Sequence, residues 1–428
     1  GAVGDGVTID WGALQQALTD ASLTASTAEY RGGATVVLPE GGRFMVSPAS
    51  LAIVGLDMGS NCTLTGGGTL LAPAAYPESV ISVDGKNSTI KGINIECGAG
   101  SHATTSKAID IGTTTASDNI SVLDCKIGSS ASSFKNGVYI RNGTSCTIDG
   151  NVIWGGRAVE SKPATGVTCN HNSFTNNQIT CNDATGAGAT QNGYAVSLLG
   201  PEVGTYGEGN RVCDNTIISV AVGVNALYHK TCIISGNFIR SSTTTDTGSG
   251  VWLQSGKRCI VSSNVIRVGG SGKGIFLNSP INRGANNSVV GNNISPHGTL
   301  TAASDNAGIV LDVEDDYATI SGNVISGMCL ETSGEANALA VILVKDSLGC
   351  NISGNTITTP TGFAAPFGIK IWSTSDVAER TEKCNGALIT GNLISLGGST
   401  EEGTAYKLVS ATQEIISNNQ LVDTKNVA

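Results

Sequence analysis

The chain reads as an all-β solenoid, a stack of short-stranded coils, on three observations. One phrase recurs: residues 223–239 (GVNALYHKTCIISGNFI) are echoed at 137–153 (GVYIRNGTSCTIDGNVI), 250–266, 308–325 and 340–357. Taking the turn asparagine of each phrase as a ruler gives Asn151, Asn172, Asn215, Asn237, Asn264, Asn292, Asn323, Asn355, Asn392 and Asn419, with gaps of 21, 43, 22, 27, 28, 31, 32, 37 and 27. A period near two dozen residues is the mark of stacked coils, with insertions falling at fixed corners. Within each phrase the pattern has period two, Val224, Ala226 and Ile234 facing one way and Asn225 the other, as in strands. No coil buries its inner face alone, so the coils above and below must cover it.

Composition agrees. Of 428 residues, 57 are glycine, only 14% are charged and 4% are aromatic, which suits many tight turns around a narrow aliphatic core. The repeat spans nearly the whole chain, so residues 1–46 read as a cap and 47–428 as one run of coils. A net charge of −10 excludes the clustered Lys and Arg that phosphate backbones require, so no nucleic-acid partner is expected. No apolar run reaches membrane-spanning length, and no membrane partner is expected.

Of the twelve cysteines, Cys62, Cys146, Cys232, Cys259 and Cys350 each stand two residues before an apolar Leu, Ile or Val. The pattern predicts an inward column of reduced, buried thiols rather than disulfides, which fits assembly in a reducing compartment. No Cys or Cys-His spacing suits zinc.

In chain order, a Gly-rich turn leads into Leu14, Ala17, Leu18 and Ala21 at helical spacing, with Asp10 as the expected N-cap. This helix would close the first coil. Two strands follow around the Pro-Glu-Gly-Gly turn at residues 39–42, and coils then continue to Leu421. A stack that ends there without a cap predicts either a longer natural chain or cover by a partner subunit.

The Gly-x-x-Gly-Asp-Gly opening, the helix and the Gly-Gly-x-x-Val-x-x-Pro-x-Gly strand resemble the N-terminal signature of the pectate-lyase-like superfamily, whose members include polysaccharide lyases, polygalacturonases, uronate epimerases and bacteriophage tailspike depolymerases. The motif covers about residues 1–46 and keeps one aspartate, Asp10, where relatives usually carry a pair. The resemblance implies a single-stranded right-handed parallel β-helix with a short N-terminal capping α-helix, and an activity on polysaccharides.

Function is expected on the outer face. In the strand that begins each coil, the residue between the inward apolar positions faces out, giving Tyr139, Glu160, Ser197, Asn225, Trp252, Phe276, Val310 and Lys370. Two positions on lie Arg141, Lys162, Leu227, Gln254, Asn278, Asp312 and Trp372. Flat rings with polar neighbours suit sugar faces, so Tyr139, Arg141, Lys162, Trp252, Phe276, Lys370 and Trp372 are candidate substrate-binding residues, with Lys345 and a corner histidine, His229.

Glycoside cleavage commonly uses two carboxyl groups roughly 5–10 Å apart, and coils stack at ~4.8 Å. The corner with Asp312, Glu314, Asp315 and Asp316, facing Lys345 and Asp346 on the next coil, offers candidate catalytic carboxyls, crowding being expected to raise one proton affinity. The same corner is a candidate calcium ligand set; otherwise no cofactor is implied. A second cluster, Tyr139, Arg141, Glu160 and Lys162, mixes a carboxylate with cations; Glu160 is a further candidate catalytic carboxyl, and the cluster would bind an acidic sugar or support β-elimination beside a uronate carboxyl group. About five rungs, ~24 Å, would part Glu160 from Asp312, too far for one catalytic pair.

Together these features predict a tailspike-like homotrimer that hydrolyses a bacterial capsular or exopolysaccharide, carried on a virion tail, or alternatively secreted by a bacterium. The alternatives are a lyase acting by β-elimination on a uronate-containing glycan, and a non-catalytic carbohydrate-binding adhesin or fibre segment.

Overall fold

The computed structural model describes residues 1–26, 33–47, 55–73, 79–98, 106–130, 133–163, 166–181, 193–201, 205–241, 248–269, 272–279, 284–298, 306–312, 315–328, 340–359, 367–372, 384, 386–396, 404–409 and 415–423. The fold is an all-β parallel solenoid of about ten turns, with one short helix near the N-terminus. It divides into two compact units, residues 1–217 and 218–428.

In the first unit, helix α1 (Trp11–Ser26) buries Leu14, Leu18 and Ala21 against the strands Ala34–Leu38, Leu56–Met58 and Cys62–Gly66. Asp10 does not cap it as expected. Its carboxylate turns back to accept the amides of Val3 at 2.6 Å and Gly4 at 3.2 Å, while its carbonyl accepts the amide of Leu14. The helix thus starts from a residue that also pins the opening loop.

Each coil then lays down a front strand, a corner, a back strand, an asparagine turn and a third strand. On the front, Ser79–Val83, Lys107–Ile111, Phe134–Ile140 and Val152–Ser161 pair in parallel, so that Ile81, Ile109, Val138 and Val159 form one inner column. On the back, Ile90, Val122, Ile148, Phe174 and Val212 do the same, and all of these are shut from solvent. Strands buried on one side and paired on both edges need no disulfide to hold register. Among the described residues eleven cysteines are buried and outside any disulfide, including the expected Cys62, Cys146, Cys232, Cys259 and Cys350.

The asparagine turn is a ladder of side-chain amides. Asn151 donates from its backbone to Asn177 Oδ1 at 2.9 Å and from Nδ2 to the Val122 carbonyl at 2.8 Å, and Asn177 repeats the pattern with Asn215. The ruler therefore passes through Asn177, not Asn172. Asn172 serves a different corner, accepting the amide of Cys146 and donating its own to Asn210. Two asparagines five residues apart both fit the pattern, and only pairing tells them apart; the intervals become 26 and 38 residues.

The second unit repeats the design. Val224, Val251, Ile275, Ile309, Ile342 and Ile369 stack as its front inner column. Its amide ladder runs Asn237, Asn264, Asn292, Asn323, Asn355, Asn392 and Asn419 with backbone-to-Oδ1 contacts of 2.9–3.0 Å. The glycine that opens each phrase has a packing reason. A Cβ at Gly250 would lie 2.2 Å from Ile266 Cγ2, and one at Gly223, Gly274 or Gly308 would meet Ile239, Ile294 or Ile325 in the same way. At this point the front strand passes over the isoleucine that follows the asparagine turn of its own coil, leaving no room for a methyl group.

Candidate functional site

On the front of the first unit the outward residue of each rung lies between two buried ones, apolar except for Ser161 after Glu160. Strand pairing puts Ser82, Asp110, Tyr139, Glu160 and Ser197 in one register line. Three rungs of that line form the candidate site. Asp110, fully buried, accepts hydrogen bonds from Ser79 Oγ at 3.0 Å, Lys107 Nζ at 2.9 Å, and Arg141 Nε and Nη2 at 3.1 and 2.7 Å. Glu160, 2% exposed, accepts Asn136 Nδ2 at 2.7 Å and Arg157 Nη1 at 2.6 Å. Asn136 lies on Tyr139's strand and Arg141 directly follows it. Each carboxylate therefore accepts hydrogen bonds from the Tyr139 rung, and the two flank that rung on opposite sides.

Full burial of a charge is tolerable only with partners of this quality. Tyr139 lies half-buried between the carboxylates, with Lys107 and Arg141 at 5.1 and 5.3 Å from its ring centre. Burial first, and then the Glu160 carboxylate, pushes its hydroxyl up to about 12, so it stays a proton donor at any physiological pH. Lys162 is exposed and lies beside Arg141 in the next register line.

The structure thus brings Tyr139, Arg141, Glu160 and Lys162 together as the alternating pattern suggests. Asp110, Lys107, Asn136 and Arg157 escaped that reading. Asp110 carried the same signal as Tyr139, since Ile109 and Ile111 flank it as Val138 and Ile140 flank Tyr139. The other three sit three residues earlier, just before the small residue at which the strand turns inward, and simple alternation misplaces them.

In the second unit the outward line continues as Asn225, Trp252, Phe276, Val310, Leu343 and Lys370. Trp252 and Phe276 stack with ring centres 5.6 Å apart. Beyond them the face is not the open polar surface expected. Val310 and Leu343 are 3% and 4% exposed, clustered with Ala307 and Ala340, and Phe276 and Phe367 flank them. Lys370 is also buried, its ammonium 4.7 Å from the Trp372 ring centre and 5.3 Å from that of Phe367. Lys345 pairs with Asp312 at 3.1 Å and lies 5.7 Å from the Trp372 ring centre.

The acidic corner differs from expectation. Asp312 is bound up with Lys345, Glu314 lies outside the described residues, and Asp346 occupies a left-handed turn with its amide donated to the Trp372 carbonyl. Asp315 turns inward. It accepts Asn287 Nδ2 at 2.9 Å, and burial, with a smaller push from Asp316, raises its carboxyl to about 7. The raised acid exists, but in the core and mainly through desolvation. His229 is likewise corrected: it is fully buried, its Nδ1 3.1 Å from its neighbour's carbonyl at Tyr228, and burial lowers it to about 4. It is uncharged at neutral pH and does not face solvent, because the corner strand His229–Lys230 turns it inward and leaves Lys230 outside.

Among the described residues no group of three or more His, Cys, Asp or Glu side chains could hold a metal ion, and no helix is long and apolar enough to cross a membrane.

A family model described as periplasmic copper-binding protein (NosD) matches residues 156–311. No curated protein sequence matches the chain. Among solved structures, PfbA, a surface adhesin of Streptococcus pneumoniae, is similar with a TM-score of 0.60 at 15% identity, over 89% of this chain and 95% of that one. The tailspike protein of E. coli bacteriophage HK620, as a mutant in complex with a pentasaccharide, gives 0.58 at 11% identity, over 96% of this chain and 77% of that one. The DFA-IIIase of Arthrobacter chlorophenolicus A6, without its lid and in complex with GF2, gives 0.54 at 13%, over 99% and 97%. At such identities the likeness is one of fold. The chain is an all-β parallel solenoid, a fold it shares with these proteins.

Proposed function

We propose that the protein is a carbohydrate-active enzyme, an endo-acting depolymerase that hydrolyses a bacterial capsular or exopolysaccharide at the Tyr139 rung. The observation that carries this is the approach of two carboxylates, Asp110 and Glu160, to one rung from either side of a half-buried tyrosine. They stand two strands apart, ~10 Å at ordinary strand spacing. That falls near the separation used when one carboxyl protonates the leaving oxygen and the other activates water. Tyr139 contributes a hydroxyl that remains protonated and can donate to a ring or glycosidic oxygen. Side chains alone supply this chemistry, without a cofactor.

In the free chain Asp110 and Glu160 are closed off by their ion pairs. Cleavage therefore requires the incoming sugar to take over part of those pairs, and an adhesin would leave them intact. Likeness in fold to a tailspike solved with a pentasaccharide supports the glycan reading, and the setting proposed with it is a homotrimer on a virion tail. A secreted bacterial enzyme would use the same site. The cations around Tyr139 favour a second reading, β-elimination on a uronate, in which they would neutralise the carboxylate beside the abstracted proton.

The test is incubation with purified capsular polysaccharides, following reducing ends and ultraviolet absorbance together. Hydrolysis yields reducing ends alone. Absorbance from a new C=C bond would establish the lyase, and an unshortened glycan that still binds would establish the adhesin.

A further inference from the structure

Around Tyr139 four cations, Lys107, Arg141, Arg157 and Lys162, face two carboxylates, Asp110 and Glu160. The patch carries +2 within a chain whose net charge is −10. The excess is local. Two cations share Asp110, one pairs with Glu160, and Lys162 stands exposed next to Arg141. Lys162 donates its amide to the Ile140 carbonyl and Arg141 donates to that of Ile111, so the two side chains leave the sheet at matching positions on neighbouring strands, ~4.8 Å apart at the backbone. Like charges so placed repel, and a bound anion relieves that repulsion. Arg141 commits the Nε–Nη2 edge of its guanidinium to Asp110, which fixes the side chain, and 37% of that side chain remains exposed.

We propose that Arg141 and Lys162 form an anion subsite beside the Tyr139 rung, and that the glycan taken here carries a sugar carboxylate in that position. The inference rests on the glycan-cleaving reading above and deepens it from polysaccharide to acidic polysaccharide. A guanidinium held at one edge and an adjacent exposed ammonium suit a carboxylate: the first gives direction and the second gives charge. Sugars without an acid group would leave the exposed Lys162 ammonium, beside the Arg141–Asp110 pair, without an anion under the substrate. Net positive potential in an otherwise acidic protein also concentrates a polyanion at this face.

The experiment uses the Glu160→Gln chain, which should bind without cutting, and a panel of purified capsular polysaccharides, each native and after chemical reduction of its uronic acids to neutral sugars. At least one acidic polysaccharide is expected to bind, with affinity falling as salt rises. Carboxyl reduction should weaken it at least tenfold. Lys162→Ala should weaken binding several-fold and flatten the salt dependence, and Lys162→Glu should weaken it further; this side chain is exposed, so neither change threatens folding. Binding that survives carboxyl reduction, a neutral polysaccharide bound as tightly as the acidic ones, or indifference to Lys162→Glu overturns the subsite and leaves the depolymerase reading standing. Failure to bind any polysaccharide overturns both.

Discussion

The Asp110 carboxylate is gripped by the Arg141 guanidinium on the next rung through Nε at 3.1 Å and Nη2 at 2.7 Å, across 31 residues of sequence. The same contact fixes an acid and presents a cation, so the site cannot be divided into catalytic and structural halves. Substitutions that keep shape must be compared with those that remove it.

Asp110→Asn and Glu160→Gln keep the shape and one acceptor oxygen of each side chain and remove the charge. Each should reduce reducing-end release at least a hundredfold, in line with general acid–base contributions of about 10²–10⁴, with a smaller loss of stability than truncation to alanine causes. Asp110→Ala should instead destabilise by about 3–5 kcal/mol, because it strands two cations in a buried place. Denaturant melts alongside rate assays separate the two; if Asp110→Asn and Glu160→Gln both cleave normally, the pair is not catalytic.

Tyr139→Phe keeps the ring on which the cations rest and removes the hydroxyl. Cleavage rate should fall by about tenfold or more while glycan affinity changes little. Because the hydroxyl titrates near 12, the wild-type rate should show no alkaline limb from Tyr139 between pH 7 and 10. A break in that range that vanishes in Tyr139→Phe would contradict this assignment.

Asp315 makes stability depend on pH in an unusual direction. Its carboxyl is raised from 3.8 to about 7 in the folded chain, so between those values the folded state holds a proton that the unfolded state has lost. Stability from this group is full below pH 3.8 and declines as pH rises toward 7. At 1.36 kcal/mol per unit the loss is of order 4 kcal/mol. Asp315→Asn should remove that slope and be the more stable chain at pH 8, and parallel slopes for the two proteins would refute it.

Gly250→Ala puts a methyl group 2.2 Å from Ile266 Cγ2, and overpacking of this kind costs about 1–3 kcal/mol. Ile266→Ala should be destabilising alone, yet the double substitution should cost less than the two single costs together. Strict additivity in urea unfolding would mean that the strand shifts freely here and that the glycine is not needed for packing.

Much of the architecture was legible in the chain itself. The recurring Gly-apolar-x-apolar phrase and its asparagine turn are local signals, and each coil repeats them, so period, strand faces and the inward thiols at Cys146, Cys259 and Cys350 follow without coordinates. Tyr139, Arg141, Glu160 and Lys162 could be grouped because alternation holds along the front strands.

Other features were decided only by folding. Asn172 and Asn177 are equally good turn residues by type, and only strand pairing shows which amide joins the ladder. Asp315 and His229 stand at corners, where period two breaks down and a one-residue rotation exchanges solvent for core. Asp110 meets Arg141, and Arg157 reaches Glu160, through side chains whose direction depends on where each strand bends inward. Repetition along the chain determined which residues could be neighbours. The partner each buried charge took was settled by tertiary packing, because a desolvated carboxylate is tolerated only where cations close around it, as at Asp110 and Glu160, or where it holds a proton, as at Asp315.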